Sequence, residues 1–135
     1  MQERPRPRET AALEGVRVLV VEDDAILLME LEMILRDAGA DVVGACRTVK
    51  DALAIVHNKP VAVAVLDVRI GGDTIAPVVR QLSKHGTPFL FYTGQLGRDP
   101  ALAEWPGCRI VAKPAPGRTI VAAVAETAGG VVRWA

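Results

Sequence analysis

Five polar side chains in this sequence each follow an apolar run, and their types suit a divalent cation and a phosphoryl group. Glu22 and Asp23 follow VLVV, Asp67 follows VAVAVL, Thr93 follows PFLFY and Lys113 follows RIVA. Magnesium is a hard ion that takes oxygen ligands in near-octahedral geometry and keeps several waters. Asp23 and Asp67 can each give it one carboxylate oxygen, and Glu22 can hold a metal-bound water. A backbone carbonyl just after Asp67, that of Arg69, completes the protein's share. Packed carboxylates repel, so without metal at least one should have a raised pKa. Asp67 is the candidate nucleophile, since a carboxylate can attack phosphorus and form an acyl phosphate. The transferring group carries charge on three equatorial oxygens, so positioning and electrostatics dominate. The Lys113 ammonium would neutralise one oxygen, and the Thr93 hydroxyl with a loop N–H would donate to another.

Taken singly, each residue has an ordinary reading. Acids after strands are usually helix caps or solvated turns, and Asp24 and Asp73 are expected to be such caps. Thr93 before Gly94 suits a plain turn, and Lys113 an ordinary surface lysine. What argues for function is the combination. In an open parallel sheet, ligands bind in the crevice outside the carboxyl ends of the strands, which is where these five would converge.

The elements that must position them alternate along the chain. Arg17–Val21 reads as a strand, followed by a helix capped by Asp24, running to Ala38 and stopped by Gly39. Its apolar stripe is Leu27, Leu31, Ile34, Leu35 and Ala38, at helical spacing. Val42–Ala45 is an edge-like strand. Thr48 caps a helix to about Asn58 with Val49, Leu53 and Val56 inward. Val61–Leu66 is continuous and apolar, as suits a parallel strand buried on both faces. Gly71 and Gly72 turn the next loop sharply, and a helix runs from about Thr74 to Lys84 with Pro77 in its first turn. Pro88–Tyr92 and Arg109–Ala112 are two further strands. Between them, Gln95 to Gly107 is the weakest stretch, with Pro100 and Pro106 bracketing at most two helical turns. Arg118–Ala128 is the last helix. Five βα units with short connections predict an α/β fold, a doubly wound five-stranded parallel sheet with helices on both faces.

Composition agrees. The chain has 135 residues, half of them hydrophobic and few of them aromatic, so Val, Leu, Ile and Ala must fill one core. Lys plus Arg equal Asp plus Glu at 16 each, so no net charge steers the chain toward nucleic acid or an anionic membrane. Cys46 and Cys108 have no metal or redox spacing and read as small buried thiols, in a reduced, cytoplasmic setting. There is no signal-peptide pattern and no apolar run long enough to span a bilayer. Residues 1–14, with alternating Pro and Arg, read as a disordered N-terminal tail, residues 15–129 as the folded domain, and 130–135 as an apolar C-terminal tag.

At these residues the chain resembles the receiver domain of two-component response regulators. VLVVEDD resembles that family's first strand and acidic pair, AVLDV the strand bearing its phosphoacceptor, FYTG the strand ending in its switch threonine, and AKP the strand ending in its lysine and proline. The separations are also receiver-like: 44 residues from Asp23 to Asp67, 26 on to Thr93 and 20 on to Lys113. The resemblance implies the flavodoxin-like (βα)5 fold and Mg2+ held by Glu22, Asp23 and Asp67. It makes Asp67 the phosphorylation site, Thr93 the hydroxyl switch and Lys113 the phosphate partner. It also implies a cis bond between Lys113 and Pro114. Partners would be a sensor histidine kinase, a histidine phosphotransfer protein, or both.

The chain also departs from the family pattern. Glu22 replaces the commoner aspartate. Ile110 stands where the family often has an aromatic rotamer switch. Arg69 and Gln95 occupy the flanking positions that tune acyl-phosphate hydrolysis. FYTGQ also resembles the single-domain receivers with a Phe-Ala-Thr-Gly signature (the "FAT GUY" group), with Tyr92 in place of alanine. A stand-alone receiver is therefore expected, signalling through protein contacts on the face of the fourth helix region, fifth strand and last helix. It would be monomeric or dimerise on phosphorylation. A phosphate sink or shuttle is equally allowed. A haloacid-dehalogenase-type phosphohydrolase and a Toprim-type enzyme both need an Asp-x-Asp pair, which is absent. A flavodoxin-like cofactor binder needs a phosphate-cradling loop that Glu22 and Asp23 would repel. A degenerate receiver that only binds protein is disfavoured because all five site residues are present.

Overall fold

The computed structural model describes residues 12–94 and 99–129. Its elements run β1 (Arg17–Val21), α1 (Ala25–Asp37), β2 (Asp41–Cys46), α2 (Val49–Asn58) and β3 (Val63–Leu66). A two-strand ribbon follows, β4 (Arg69–Ile70) against β5 (Asp73–Thr74), then α3 (Ala76–Lys84) and β6 (Phe89–Thr93). A 3-10 helix (Pro100–Glu104), β7 (Arg109–Ala112) and α4 (Gly117–Gly129) complete the chain. Five strands form one parallel sheet in the order β2-β1-β3-β6-β7. The doubly wound α/β expectation therefore holds.

Strand periodicity explains why helices cover both faces, because successive side chains point to opposite sides. Val18, Val20, Val63, Val65, Leu90 and Tyr92 join Leu28, Leu31 and Leu35 of α1 and Ile120, Ala123 and Val124 of α4 in one core layer. The intervening Leu19, Val21, Ala64, Leu66, Phe89 and Phe91 pack with α2 and α3 in the other. Every residue of β3 is buried, as a central parallel strand requires. Two expected helix starts hold. The Asp24 side chain accepts from Ile26 N and Leu27 N, and that of Thr48 from Asp51 N.

Several details differ from the sequence reading. Asp73 is not a cap. It lies in β5 opposite Ile70, and α3 starts after Ile75 with no side-chain cap. The ribbon consumes the residues that Gly71 and Gly72 suggested for a bare turn, so α3 begins two residues later than expected. On α1 the buried position is Leu28, with Leu27 half-buried, a one-residue rotation of the first turn. On α2 the fully buried residues are Ala52 and Val56, while Val49 and Leu53 pack at the core margin. Leu13, assigned to the polar tail, is fully buried, and its N–H donates to the Ala38 carbonyl. A single large apolar residue after two alanines is too short a run to show periodicity, so local pattern could not reveal this. Cys46 is buried, but Cys108 is only half-buried; burial pushes both thiols up to about 11. Residues 1–11, the 130–135 tag and Gln95 lie outside the described residues. No described helix is long and apolar enough to cross a membrane.

Candidate functional site

The register of the central strands brings the site together. Val21 of β1 is level with Leu66 of β3, so Glu22 and Asp67 leave the sheet side by side. Thr93, the last residue of β6 rather than the first after it, is level with Ala112 of β7. The Lys113 N–H donates to the Thr93 carbonyl, extending that pairing by one step. All five sequence-predicted side chains therefore sit on one sheet edge.

Lys113 ties the acids together. Its Nζ lies 2.6 Å from Glu22 Oε1 and 2.7 Å from Asp67 Oδ2. Glu22 Oε2 accepts from the Asp24 N–H at 3.0 Å, and Asp67 Oδ1 from the Val68 N–H at 2.7 Å. Asp23 Oδ2 accepts from the Gly71 N–H at 2.8 Å, which fastens the loop after β3 to the end of β1. The Arg47 guanidinium holds the Asp23 carbonyl. Oxygens from Glu22, Asp23 and Asp67 all lie within 4.8 Å of one another.

Electrostatics separates the acids. Glu22 is 2 % exposed, and its burial pushes the carboxyl above its usual value against the opposing pull of Lys113 and the Asp24 N–H. The Gly71 N–H holds the Asp23 carboxyl below its usual value. Burial pulls the Lys113 ammonium down, but the hydrogen bonds to Asp67 and Glu22 outweigh it and the net shift is upward. The expected raised carboxyl is thus Glu22, with burial rather than repulsion as the main cause. Glu22's longer arm reaches Lys113 directly.

Three carboxylates around one hollow form an all-oxygen donor set, and it fits a hard divalent cation. Thr93 is buried at the rim. The Lys113–Pro114 bond is cis, as the resemblance implied. Ile110 is 41 % exposed on β7, so no ring at that position reaches toward Thr93. The Tyr92 hydroxyl accepts from the Ala115 N–H, and the Lys113 ammonium lies 5.8 Å from the Tyr92 ring centroid. Arg69 does not point freely to solvent: its guanidinium forks onto Asp99 at 2.8 and 2.9 Å. Asp99 escaped the sequence reading. Its only local signal was the Asp-Pro dipeptide, a common turn and helix-start pair.

The sequence model of the response regulator receiver domain matches residues 18–125, and the chain belongs to that family. That family consists of signalling phosphoacceptors rather than turnover enzymes. No curated protein gives a significant match. Among solved structures, the response regulator PhyR from Brucella abortus is 22% identical, covering 90% of this chain and 51% of that one, with a TM-score of 0.75. A receiver protein from Sinorhizobium medicae is 24% identical over 85% of this chain and 95% of that one, with a TM-score of 0.74. A mutant form of the anti-anti-sigma factor PhyR from Bartonella quintana is 23% identical over 89% of this chain and 51% of that one, also at 0.74. The chain spans about half the length of the two PhyR chains. At these identities the likeness shows the shared fold.

Proposed function

We propose that this receiver domain accepts a phosphoryl group on Asp67 from the phosphohistidine of a sensor kinase or phosphotransfer protein, with Mg2+ bound, and passes the signal on by protein contacts. The observation that carries the reading is the Lys113 ammonium held between Glu22 Oε1 and Asp67 Oδ2 beside the Asp23 carboxylate. In the transfer, the phosphorus–nitrogen bond to the donor imidazole breaks as a bond to an Asp67 carboxylate oxygen forms. The leaving imidazole keeps the electron pair and takes up a proton. Val68 N–H orients the Asp67 carboxylate by holding Oδ1. Lys113 balances the charge that develops on the phosphoryl oxygens, since a preorganised ammonium in a half-buried site needs little reorganisation. Glu22, Asp23 and Asp67, with the Arg69 carbonyl, would hold the cation, which when bound supplies further neutralisation of phosphoryl charge.

Thr93 is the proposed hydroxyl switch, turning toward the phosphoryl group and biasing a pre-existing equilibrium of nearby loops. Arg69 and Gln95 are the proposed tuning positions for hydrolysis. A cytoplasmic setting is part of this reading, supported by two unpaired cysteines. Serving as a phosphate sink or shuttle uses the same chemistry with a different acceptor. Incubation with phosphoramidate or acetyl phosphate and Mg2+ should add one phosphoryl group to the wild type and none to Asp67→Asn, read by intact mass. Equal labelling of the two proteins would reject the assignment.

A further inference from the structure

We propose that Arg69 is shared between two anions, the Asp99 carboxylate and the phosphoryl group on Asp67, so that phosphorylation draws Arg69 away and untethers the 3-10 helix. The inference rests on Asp67 being the phosphoacceptor.

Position makes Arg69 the residue able to choose. It lies two residues after Asp67, in a loop pinned to the acidic site at both ends. Val68 N–H is on Asp67 Oδ1, and Gly71 N–H is on Asp23 Oδ2. The Arg69 backbone therefore stays beside the site, and its half-exposed side chain has solvent around it into which it can swing once released. Its present partner is held in a two-point fork, Nε to Asp99 Oδ2 and the terminal nitrogen to Oδ1. A planar guanidinium matches a carboxylate and a phosphoryl group with the same fork, so the exchange needs no new geometry.

Charge sets the direction of the exchange. Phosphorylation replaces the single charge of the Asp67 carboxylate with about −2 at neutral pH. Lys113 and a divalent cation balance three carboxylates, and the added charge is left for another cation. Asp99 offers Arg69 a single charge, in a fork whose arginine side is half exposed to solvent. The phosphoryl group offers more charge beside a half-buried site.

The consequence falls on the 3-10 helix. Asp99 starts it, with Oδ1 accepting from Ala101 N–H. Leu102 is buried beneath it, and the Trp105 ring lies 5.4 Å from that of Phe91 on β6, centroid to centroid. Among the described residues, this segment is attached to β6 by an apolar contact and to the loop after Asp67 by an ionic one. Losing the second leaves Trp105 free to reorient on Phe91.

The test uses the full chain with Trp134→Phe, which leaves Trp105 as the reporting indole, and beryllofluoride with Mg2+ as the phosphoryl mimic. Asp99→Asn should bind beryllofluoride about two- to five-fold more tightly than the parent, the span a partly exposed ion pair carries. Arg69→Gln should bind it more weakly, and Arg69→Lys, which keeps the charge but not the fork, should recover part of the loss. In the Arg69→Gln background, Asp99→Asn should change nothing. Beryllofluoride should shift Trp105 emission in the parent and not in Arg69→Gln. Equal affinity in all variants, or the same tightening by Asp99→Asn without Arg69, would overturn the shared-arginine proposal while leaving Asp67 as phosphoacceptor. Failure of the parent itself to bind beryllofluoride would sink both.

Discussion

At the scale of single residues, the site is a balance between one ammonium and three acids, and Glu22 bears most of the strain. Its carboxyl is pushed above its usual value chiefly by burial. Between the unfolded and folded pKa values the native state holds more protons than the unfolded chain, so stability falls as pH rises through that interval. The penalty is absent below the ordinary value of 4.5 and complete above the folded value. Glu22→Gln keeps the shape and removes the charge. The metal-free variant should melt at a higher temperature than the parent near neutral pH, and the gain should close as pH falls toward 4.5. Its Mg2+ affinity should drop. Thermal melts in chelator across this pH range, paired with a Mg2+ titration, check both halves; a gain that persists unchanged at low pH would contradict the account. On the proposed function, burial of a charged Glu22 is a stability sacrifice made for ion binding, a common trade at functional sites.

At the scale of elements, close approach of helix to sheet sets the frame that holds the acids. Gly44 on β2 lies where Ile55 of α2 presses against the strand. A Cβ there would come 2.8 Å from Ile55 Cγ1. Gly44 also sits just beyond the register shift between β1 and β2. Gly44→Ala should destabilise the fold by about 1–3 kcal/mol through overpacking. Ile55→Ala removes the γ and δ carbons that a Gly44 Cβ would meet, so it should cost less in the Gly44→Ala background than in the parent. Denaturant midpoints of the two single variants and the double variant give the coupling, and simple additivity would show that the helix does not bear on the strand as described. The βα alternation was plain in the sequence, because apolar runs and Asp24, Thr48 and Pro77 act locally. The β4–β5 ribbon was not, because two-residue strands have no periodicity to read. The burial of Leu13 was hidden for a related reason: its partners, Ala38 and the α1–α4 core layer, are distant in sequence.

At the scale of the whole molecule, metal binding and folding should be linked. The acidic hollow exists only when β1 and β3 are paired, so Mg2+ would bind the native state and not the unfolded chain. Stability should then rise with ion concentration, by about 2.7 kcal/mol at a hundredfold excess over Kd. Asp23→Asn removes a proposed ligand from the half-buried side of the cluster and should abolish most of the rise while leaving the metal-free protein folded. Melting temperatures over a Mg2+ series, with and without chelator, measure it. A parallel rise in wild type and Asp23→Asn would mean a general salt effect rather than the site.

The sequence by itself determined the order of the five sheet strands and the four α-helices, the doubly wound class and the five residues whose positions follow those strands. Those features follow from local period, turn chemistry and the side chain that ends each apolar run. Only the tertiary structure decided which oxygen faces which nitrogen: Lys113 between Glu22 and Asp67, Gly71 N–H on Asp23, and Arg69 on Asp99. Such partners lie 30 to 91 residues apart along the chain. Strand register and loop packing choose among the many charged groups a flexible arm could meet, and no local pattern encodes that choice.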